Sequence, residues 1–310
     1  MAYKAFNPDF TCKGKQYEEN TTYEENGNEI CEAGVMHYCE NPFDVLDYYP
    51  LVNENGEISE FAEVEPLGKV FKRENKCATN KLHIKAKLGL KGFIKACIDF
   101  TLEKTKIEEI EDDIENDNNS AKIGSSGYSA KIGSSGYSAK IGSSGYSAQI
   151  GSSGYYAKIG SSGYYAKIGS SGDYAKIGSS GYSAQIGSSG DSAQIGSSGY
   201  SAQIGSSGYY AKIGSSGDYA KIGSSGYSAK ITSKGKHSVV MAAGYQSQAK
   251  AKKGSWITLA EWVRTDDEDE KGFCIWIPKC VKTEYVDGER IKEDTFYKLV
   301  DGEFKEVEEN

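Results

Sequence analysis

Ala130-Lys131-Ile132-Gly133-Ser134-Ser135-Gly136-Tyr137-Ser138 is one copy of a motif that recurs every nine residues. The alanine that opens each copy stands at thirteen positions: 121, 130, 139, 148, 157, 166, 175, 184, 193, 202, 211, 220 and 229. The copies run from residue 121 to residue 235, and the last one is altered at Thr232 and Lys234. A fixed short period predicts a solenoid, in which each repeat buries its apolar face against its neighbours.

Each copy divides into a turn and a strand. Gly-Ser-Ser-Gly predicts the turn, because glycine permits positive φ and serine bonds to the nearby backbone. The five residues 128–132 predict the strand, in which Ala130 and Ile132 share one face and Lys131 points the other way. Since the alanine and the isoleucine are the same in every copy, we expect them to form a thin core.

Two copies per coil give a parallel, two-sided β-solenoid with 18 residues in each turn. Neighbouring coils of such a solenoid stack about 4.8 Å apart. Thirteen copies therefore predict roughly six coils, a rod on the order of 30 Å long. The fold class expected for the whole chain is mainly β, with a small α+β N-terminal domain and a β-rich C-terminal cap.

Three other interpretations of the repeat have weaker support. A disordered Gly/Ser linker gives no reason for isoleucine at every ninth position. A calcium-binding nonapeptide roll needs an aspartate after each glycine-rich turn, and here aspartate occurs only at 173, 191 and 218. An ice-binding surface would need regular threonine ladders, which the copies lack.

Alternate copies place their polar residues in ladders along the two faces of the predicted solenoid. Residues 121–231 hold nine lysines and three aspartates, a net charge of +6, although the whole chain carries −8. The flanking segments must therefore carry −14. The candidate binding residues form two ladders. The lysine ladder lies on one face and consists of Lys122, Lys140, Lys158 and Lys176; the tyrosine ladder runs along one edge and consists of Tyr128, Tyr146, Tyr164 and Tyr182.

The ladders permit more than one function. Basic stripes beside aromatic rings can follow phosphates and stack bases. Lysine on an exposed strand face also keeps it soluble and discourages association, and we favour this interpretation because the repeats contain no arginine. Regular tyrosine surfaces suit protein partners as well, because tyrosine offers contact area at low entropic cost.

The segments around the repeats predict three further regions. Residues 1–105 are expected to form the N-terminal domain and an entry cap, since Leu82, Ile84 and Ala86 alternate as in a strand and the apolar residues from Leu90 onward have helical spacing. Residues 106–120 are expected to form an acidic linker, residues 121–235 the solenoid and residues 236–310 an exit cap with a hairpin at Asp301-Gly302. The candidate acidic patches are Glu111, Asp112, Asp113, Asp266, Asp267 and Glu268.

The N-terminal 100 residues carry a cluster of short motifs: Lys4-Ala5-Phe6-Asn7, Cys12-Lys13-Gly14, Gln16-Tyr17, Cys31-Glu32-Ala33-Gly34, His37-Tyr38-Cys39-Glu40-Asn41-Pro42 and Tyr48-Tyr49-Pro50. In these motifs the chain resembles an uncharacterised domain of phage and prophage proteins, where it often precedes Gly/Ser-rich repeats. Met36 before His37 departs from that pattern. The resemblance implies an origin in a mobile element and brings no known activity.

Metal or catalytic chemistry has little support in the sequence. Cys12, Cys31, His37 and Cys39 have the identity of zinc ligands but lack the spacing of a zinc knuckle. His37 with Glu40 could form an acid/base pair with Cys39 as nucleophile, but buried structural side chains are the simpler interpretation. Phosphate-loop, nucleophile-elbow, zinc-protease and dinucleotide motifs are all missing from the sequence. We therefore expect no catalytic residue, no metal and no cofactor.

The remaining composition bears on where the protein acts. Apolar runs are too short for a transmembrane helix, and the N-terminus has no apolar signal segment. The seven widely spaced cysteines then predict reduced thiols in a cytoplasmic protein of the host cell, with no membrane partner.

The sequence predicts a non-enzymatic binding protein of a phage or mobile element. Its rigid solenoid would engage a host protein or nucleoprotein complex as a counter-defence inhibitor, with a second copy of the chain as a further candidate partner. One alternative is nucleic-acid binding along the Lys/Tyr ladders, and another is a structural or adhesive virion component.

Overall fold

The computed structural model of the chain describes residues 1–30, 33–105, 113–116, 119–268, 270 and 274–307. In it, the N-terminal domain consists of short antiparallel strands, a 3-10 helix and one longer α-helix. Its strands pair in the orders β1-β6-β9-β4, β2-β3 and β5-β8-β7. Their bounds are β1 Ala2–Phe6, β2 Thr11–Cys12, β3 Lys15–Gln16, β4 Thr21–Glu24, β5 Met36–Tyr38, β6 Glu60–Pro66, β7 Val70–Arg73, β8 Lys76–Thr79 and β9 Lys81–Lys87. The 3-10 helix spans Pro42–Asp47, and helix α1 spans Gly89–Thr105.

Two sheets lie face to face and form the solenoid, and their strands are parallel except in the C-terminal hairpins. We call the first one the open sheet; its strands are β10 Asp113–Asn116, β12 Lys131–Ser134, β14 Gln149–Ser152, β16 Lys167–Ser170, β18 Gln185–Ser188, β20 Gln203–Ser206, β22 Lys221–Ser224, β24 Val239–Ala242, β26 Trp256–Glu268 and β27 Cys274–Tyr285. We call the second one the covered sheet; its strands are β11 Lys122–Ser125, β13 Lys140–Ser143, β15 Lys158–Ser161, β17 Lys176–Ser179, β19 Gln194–Ser197, β21 Lys212–Ser215, β23 Lys230–Ser233, β25 Gln248–Ala251, β28 Tyr297–Val300 and β29 Glu303–Glu306.

The strand register confirms the predicted coil of two repeats. Ile132 pairs with Ile150 in the open sheet, and Ile141 pairs with Ile159 in the covered sheet, 18 residues apart in each case. The mainly β architecture, with its small α+β N-terminal part and β-rich C-terminal part, is confirmed too. The solenoid makes about eight turns in the described part of the chain, more than the six expected from the copies alone.

The extra turns come from residues outside the recognisable copies. Asp113–Asn116, which we expected within an acidic linker, form β10 and pair in parallel with β12. After the last copy, β24 and β25 continue the two sheets and bury Val240, Ala242, Ala249 and Ala251. The inward alternation of small apolar residues therefore persists where the motif itself has been lost.

The phase of the strand within each copy differs from the prediction. The strand is Lys-Ile-Gly-Ser, as in Lys131–Ser134, and the corner is Gly-Tyr-Ser-Ala, closed by a hydrogen bond from the Ala139 N–H to the Gly136 carbonyl at 3.3 Å. The first serine of each copy points inward. At the corner that follows its strand, Ser134 Oγ accepts a hydrogen bond from the Gly136 N–H at 3.3 Å. The core is thus built from alanine, isoleucine and serine, while the large tyrosine lies at the solvent-exposed corner.

The C-terminal residues finish the solenoid with two hairpins. The start of β26 pairs in parallel with β24, and the strand then forms a long antiparallel hairpin with β27. The second hairpin, β28 and β29, turns at Asp301-Gly302 as predicted and joins the covered sheet through Ala249 and Tyr297. Tyr297 is buried against the last coils, so this hairpin covers the apolar end of the core.

Candidate functional site: the two faces of the solenoid

The predicted lysine ladder lies mostly beneath the N-terminal domain. Lys140 pairs with Asp44, and Lys158 pairs with Asp47 and donates to the Phe43 carbonyl at 3.1 Å. Lys158 is only 5% exposed, while Lys122 at the start of the ladder stays exposed. The expectation of a free basic surface along Lys140, Lys158 and Lys176 is therefore wrong.

The 3-10 helix positions the groups that meet this ladder. It begins with Pro42, and Asn41 Oδ1 caps it by accepting the Phe43 N–H at 3.1 Å. Proline suits the first helical position because its missing N–H would have no intrahelical partner there. The short helix presents Asp44, Asp47 and the Leu46 carbonyl, which accepts a hydrogen bond from Lys176.

The residues that follow the 3-10 helix extend the same contact along the solenoid. Gln194 Oε1 accepts the Leu51 N–H at 2.9 Å, and Thr232 Oγ1 donates to the Asn55 carbonyl at 3.0 Å. Glu54 pairs with Lys212, and Glu57 with Lys234 at 3.2 Å. An acidic segment of the N-terminal domain thus neutralises a row of like charges on the covered sheet.

Burial lowers the pKa of two lysines in this contact. Desolvation lowers the pKa of Lys158, against the opposing effect of Asp47. Desolvation, together with the neighbouring charge of Lys158, lowers the pKa of Lys176 to about 8. These amines therefore belong to a buried domain contact, and they are not free to follow a polyanion.

Helix α1 lies along the outer side of the covered sheet and packs on a stripe of glycines. A methyl group at Gly142 would come within 3.1 Å of the Ile98 Cα, and one at Gly178 within 3.1 Å of the Ile94 side chain. Leu102 lies over Gly124, and Leu90 lies over Gly196. At Gly142 and Gly178 a side chain would therefore crowd the helix at this distance, whereas at Gly160 a Cβ would lie 3.7 Å from the Ile94 side chain.

The spacing of the helix matches the spacing of the coils. From Leu102 back to Leu90 the helix advances about 18 Å. From Gly124 to Gly196 the solenoid advances four coil spacings, about 19 Å. One aliphatic side chain in each helical turn therefore meets about one glycine in each coil. This placement corrects the expected entry cap, because α1 covers a face of the solenoid and not its end.

The open sheet presents the same residue pattern, and no helix among the described residues covers it. Its ladder of Lys131, Gln149, Lys167, Gln185, Gln203 and Lys221 is exposed throughout. A methyl group at Gly169, Gly187 or Gly205 would meet nothing within 4 Å. The glycines and the ladder residues line a shallow groove of about 1180 Å³ along the sheet. This groove is the open-sheet counterpart of the surface that α1 occupies on the covered sheet.

The groove ends in an apolar patch at its C-terminal side. Val239 stands where the copies have lysine or glutamine, and Met241 stands where they have glycine. These two side chains are 48% and 44% exposed. The neighbouring hairpin adds Val281, which is 57% exposed. The open face therefore offers amines and amides along most of its length and apolar side chains at one end.

The predicted tyrosine ladder forms on one edge of the solenoid. Tyr128, Tyr146, Tyr164 and Tyr182 stack in sequence, with neighbouring ring centroids 5.1, 5.4 and 4.8 Å apart. The rings are exposed at their rims and already contact one another face to face. Since the stacked pairs are in contact, a nucleobase has no space between them, and the ladder presents mainly hydroxyl groups and ring edges.

The three aspartates of the repeats have a structural role at the corners. Asp173 Oδ1 accepts the Asp191 N–H, and Asp191 Oδ1 accepts the Tyr209 N–H, both at 2.7 Å. Asp218 accepts the Lys236 N–H in the same way. Each carboxylate thus bonds to the next coil on its edge. Among the described residues no group of three metal-ligating side chains was found.

The predicted acidic patches lie in different places. Glu111 and Asp112 are outside the described residues, and Asp113 begins β10. Asp266, Asp267 and Glu268 are exposed near the tip of the hairpin of β26 and β27. Asp266, Asp267 and Glu268 belong to a strand of the open sheet, whereas the lysine ladder is on the covered sheet. Asp44 and Asp47, which pair with Lys140 and Lys158, were not among the predicted site residues.

Burial shifts the pKa values of two candidate catalytic residues of the N-terminal domain. Burial raises the pKa of Cys39 to about 12, with a further contribution from Asp44, so its thiol stays protonated at neutral pH. His37 Nε2 lies 2.6 Å from the Ile30 carbonyl, and burial lowers the pKa of its ring. Cys31 is outside the described residues.

Comparison with known proteins gives a family for the N-terminal region alone. Residues 1–96 match the model of a family described as a domain of unknown function, DUF7666. Neither a curated protein nor a solved structure matches the chain. In the described residues no helix has the length and apolarity needed to cross a membrane. The match agrees with an uncharacterised domain placed before repeats, and the phage association stays a prediction.

Proposed function

We propose that the protein is a non-enzymatic binding protein whose open solenoid face receives a macromolecular partner. One observation carries this proposal: the covered face, built from the same repeat, holds a helix on its glycine stripe, while the equivalent stripe on the open face is exposed. The covered face is therefore an internal example of what such a surface binds.

The covered face also indicates the chemistry of the partner. Helix α1 supplies one aliphatic side chain per turn to the glycines, and the adjacent 3-10 helix supplies carboxylates to the lysines. We infer that the partner presents an amphipathic helix with an aliphatic row and acidic residues beside it. The carboxylates would pair with Lys167 and Lys221, and a larger apolar residue would contact Val239 and Met241.

The resemblance to phage proteins gives the proposal a finer form. In that form the partner is a host protein complex, and the bound solenoid inhibits it as a counter-defence factor. The rigid stack of coils supports this use, because a preformed surface loses little conformational entropy when it binds.

Nucleic-acid binding along the predicted ladders has less support. Lys140, Lys158 and Lys176 contact the N-terminal domain, and the tyrosine rings are stacked on each other. The exposed ladder alternates lysine with glutamine and provides fewer charges for phosphate contacts.

Affinity capture with matched variants tests the proposal. The tagged full chain is incubated with a lysate of the cells in which it is naturally produced, with and without nuclease, beside two variants. Gly169→Val, Gly187→Val and Gly205→Val together fill the open stripe, whereas Tyr164→Ser and Tyr182→Ser change only the edge. We expect a stoichiometric protein that survives nuclease, is lost with the glycine variant and is kept by the tyrosine variant.

The same comparison is then made with the purified partner. We expect the dissociation constant to rise at least tenfold for the glycine variant. Equal affinity for the wild type and the glycine variant would remove the open face from the proposal. Capture of nucleic acid alone, lost on nuclease treatment, would favour the ladder alternative, and capture of nothing would oppose a binding function.

A further inference from the structure

A cavity in the N-terminal domain collects many of the residues that carry its sequence motifs. It has a volume of about 630 Å³ and lies between β1, β2, β5 and the residues after the 3-10 helix. Its walls include Tyr3, Tyr17, Tyr38, Tyr48 and Tyr49. No residue of the described solenoid strands lines this cavity, so chemistry here is separate from binding at the open face.

Lys4 is the buried amine of this cavity. The residue is only 6% exposed, and its Nζ donates to Cys12 Sγ at 3.5 Å and to the His37 carbonyl at 3.1 Å. Within the described part of the chain, Lys4 Nζ forms no ion pair with a carboxylate, and Glu25, which also lines the cavity, pairs with Lys15. A buried ammonium group without a carboxylate carries a large desolvation cost.

The two hydrogen bonds can both be made by a neutral amine, and the centres of the Phe6 and Tyr17 rings lie 5.4 and 5.7 Å from Nζ. A neutral amine has two N–H groups and one lone pair, and Cys12 Sγ with the His37 carbonyl accepts both N–H groups. The lone pair is then left for an electrophile. Burial lowers the pKa of Lys4 against the opposing effect of Cys12, and the charge of Lys13 acts in the same direction as burial. A lysine that is desolvated and close to another cation is a nucleophile that forms imines with carbonyl compounds.

The rest of the cavity wall suits a small anion. Lys13, Lys15 and Lys76 contribute positive charge, and among these Lys15 is paired with Glu25 at 2.7 Å. Lys13 is exposed and Lys76 lies 4.9 Å from the centre of the Tyr48 ring. A phosphate or carboxylate held by Lys13 and Lys76 would leave the rest of the ligand between tyrosine walls.

We propose that this cavity binds a small anionic aldehyde or ketone and that Lys4 forms an imine with it. The Lys4 nitrogen attacks the carbonyl carbon, a C–N bond forms, and the carbonyl oxygen takes a proton to give a carbinolamine. Loss of water then forms the C=N bond, so one carbonyl compound and one amine yield one imine and one water. The two N–H bonds that the amine loses supply the two protons of the departing water. Burial and the neighbouring Cys12 raise the pKa of Tyr49, so this hydroxyl of the cavity wall stays protonated.

The experiment uses the full chain and two aldehydes that differ in charge. Pyridoxal 5′-phosphate and pyridoxal are each added at a substoichiometric amount at pH 7.5, the imines are reduced with borohydride, and tandem mass spectrometry locates the modified lysines. We expect pyridoxal 5′-phosphate to label Lys4 at least fivefold more than the exposed Lys91 of α1. We also compare, at each lysine, the ratio of labelling by pyridoxal 5′-phosphate to labelling by pyridoxal. This ratio should be at least fivefold higher at Lys4 than at Lys91.

Variants separate the amine from the anion site. Lys4→Met keeps a long apolar side chain and should lose the label at this position while Lys91 labelling is unchanged. Lys13→Gln with Lys76→Gln should reduce the preference for the phosphorylated aldehyde at Lys4. The wild-type experiment decides even where a variant fails to fold. Labelling of Lys91 without Lys4 would overturn the imine site, and equal labelling of Lys4 by the two aldehydes would overturn its assignment to anions.

Discussion

Replacing Gly142 by valine is expected to destabilise the protein by about 1–3 kcal/mol, the range found for overpacked cores. The added Cβ would stand 3.1 Å from the Ile98 Cα, a backbone atom of α1 that cannot move without displacing the helix. The methyl groups beyond it would force α1 away from the covered sheet. The lysines beneath the 3-10 helix would then lose part of their contact with Asp44 and Asp47.

Gly187→Val is the matched control, because it makes the same change in the same motif on the open sheet. A Cβ at Gly187 meets nothing within 4 Å. Valine is also the better strand residue, so the free energy of unfolding should stay within about 0.5 kcal/mol of the wild type or rise slightly. Urea denaturation of the two full-length variants, followed by circular dichroism, makes the comparison. Equal destabilisation would mean that the glycine stripe does not determine where α1 packs.

Lys176→Gln is expected to change how stability depends on pH. Below about pH 8, Lys176 is charged in the folded and the unfolded chain, and the full cost of its burial is present. Between about pH 8 and its ordinary pKa of 10.5, the folded state releases the proton first. The unfolded state then binds more protons, so the Lys176 contribution to stability rises with pH.

Glutamine lacks this titration, and Gln194 already occupies the equivalent position in the next coil. The variant should therefore fold and be at least as stable as the wild type at pH 7. Between pH 7 and 10.5 the wild type should gain about 2–3 kcal/mol relative to the variant. Lys167→Gln on the open sheet is the control. The difference in the free energy of unfolding between the wild type and this variant should change little over the same pH range. A difference that stays constant with pH for Lys176→Gln would contradict the burial of this amine.

The coil was predictable from the sequence because its pattern is repeated. Alanine and isoleucine at a period of nine determine which side chains point inward, and two such units return the chain to the same sheet. The phase within the copy was harder to predict. Gly-Ser-Ser-Gly has the composition of a turn, but in the folded chain Ser134 bonds inward to the Gly136 N–H and the bulky Tyr137 takes the corner.

The covered face could not be predicted in this way, because its two partners are far apart in the sequence. Lys140 and Asp44 are separated by 96 residues, and neither residue differs in kind from many others of its charge. The one available signal was the charge imbalance, with a basic block of repeats between acidic flanks. This charge imbalance indicated that the repeats and the flanking segments attract each other. It did not indicate which sheet the N-terminal domain would cover.

In this structure the N-terminal domain covers one face of the two-faced solenoid and leaves the other exposed. Acetylation of the native protein with a limiting amine-reactive ester tests this arrangement most directly, because Lys158 and Lys167 are equivalent residues of adjacent repeats on opposite faces. Fragmentation of the intact protein in the mass spectrometer assigns the modification rate at each lysine. The structure predicts that Lys158 reacts at least tenfold more slowly than Lys167 and that the two rates become equal in denaturant. Equal rates in the native protein would contradict the account, since the N-terminal domain would then leave both faces open.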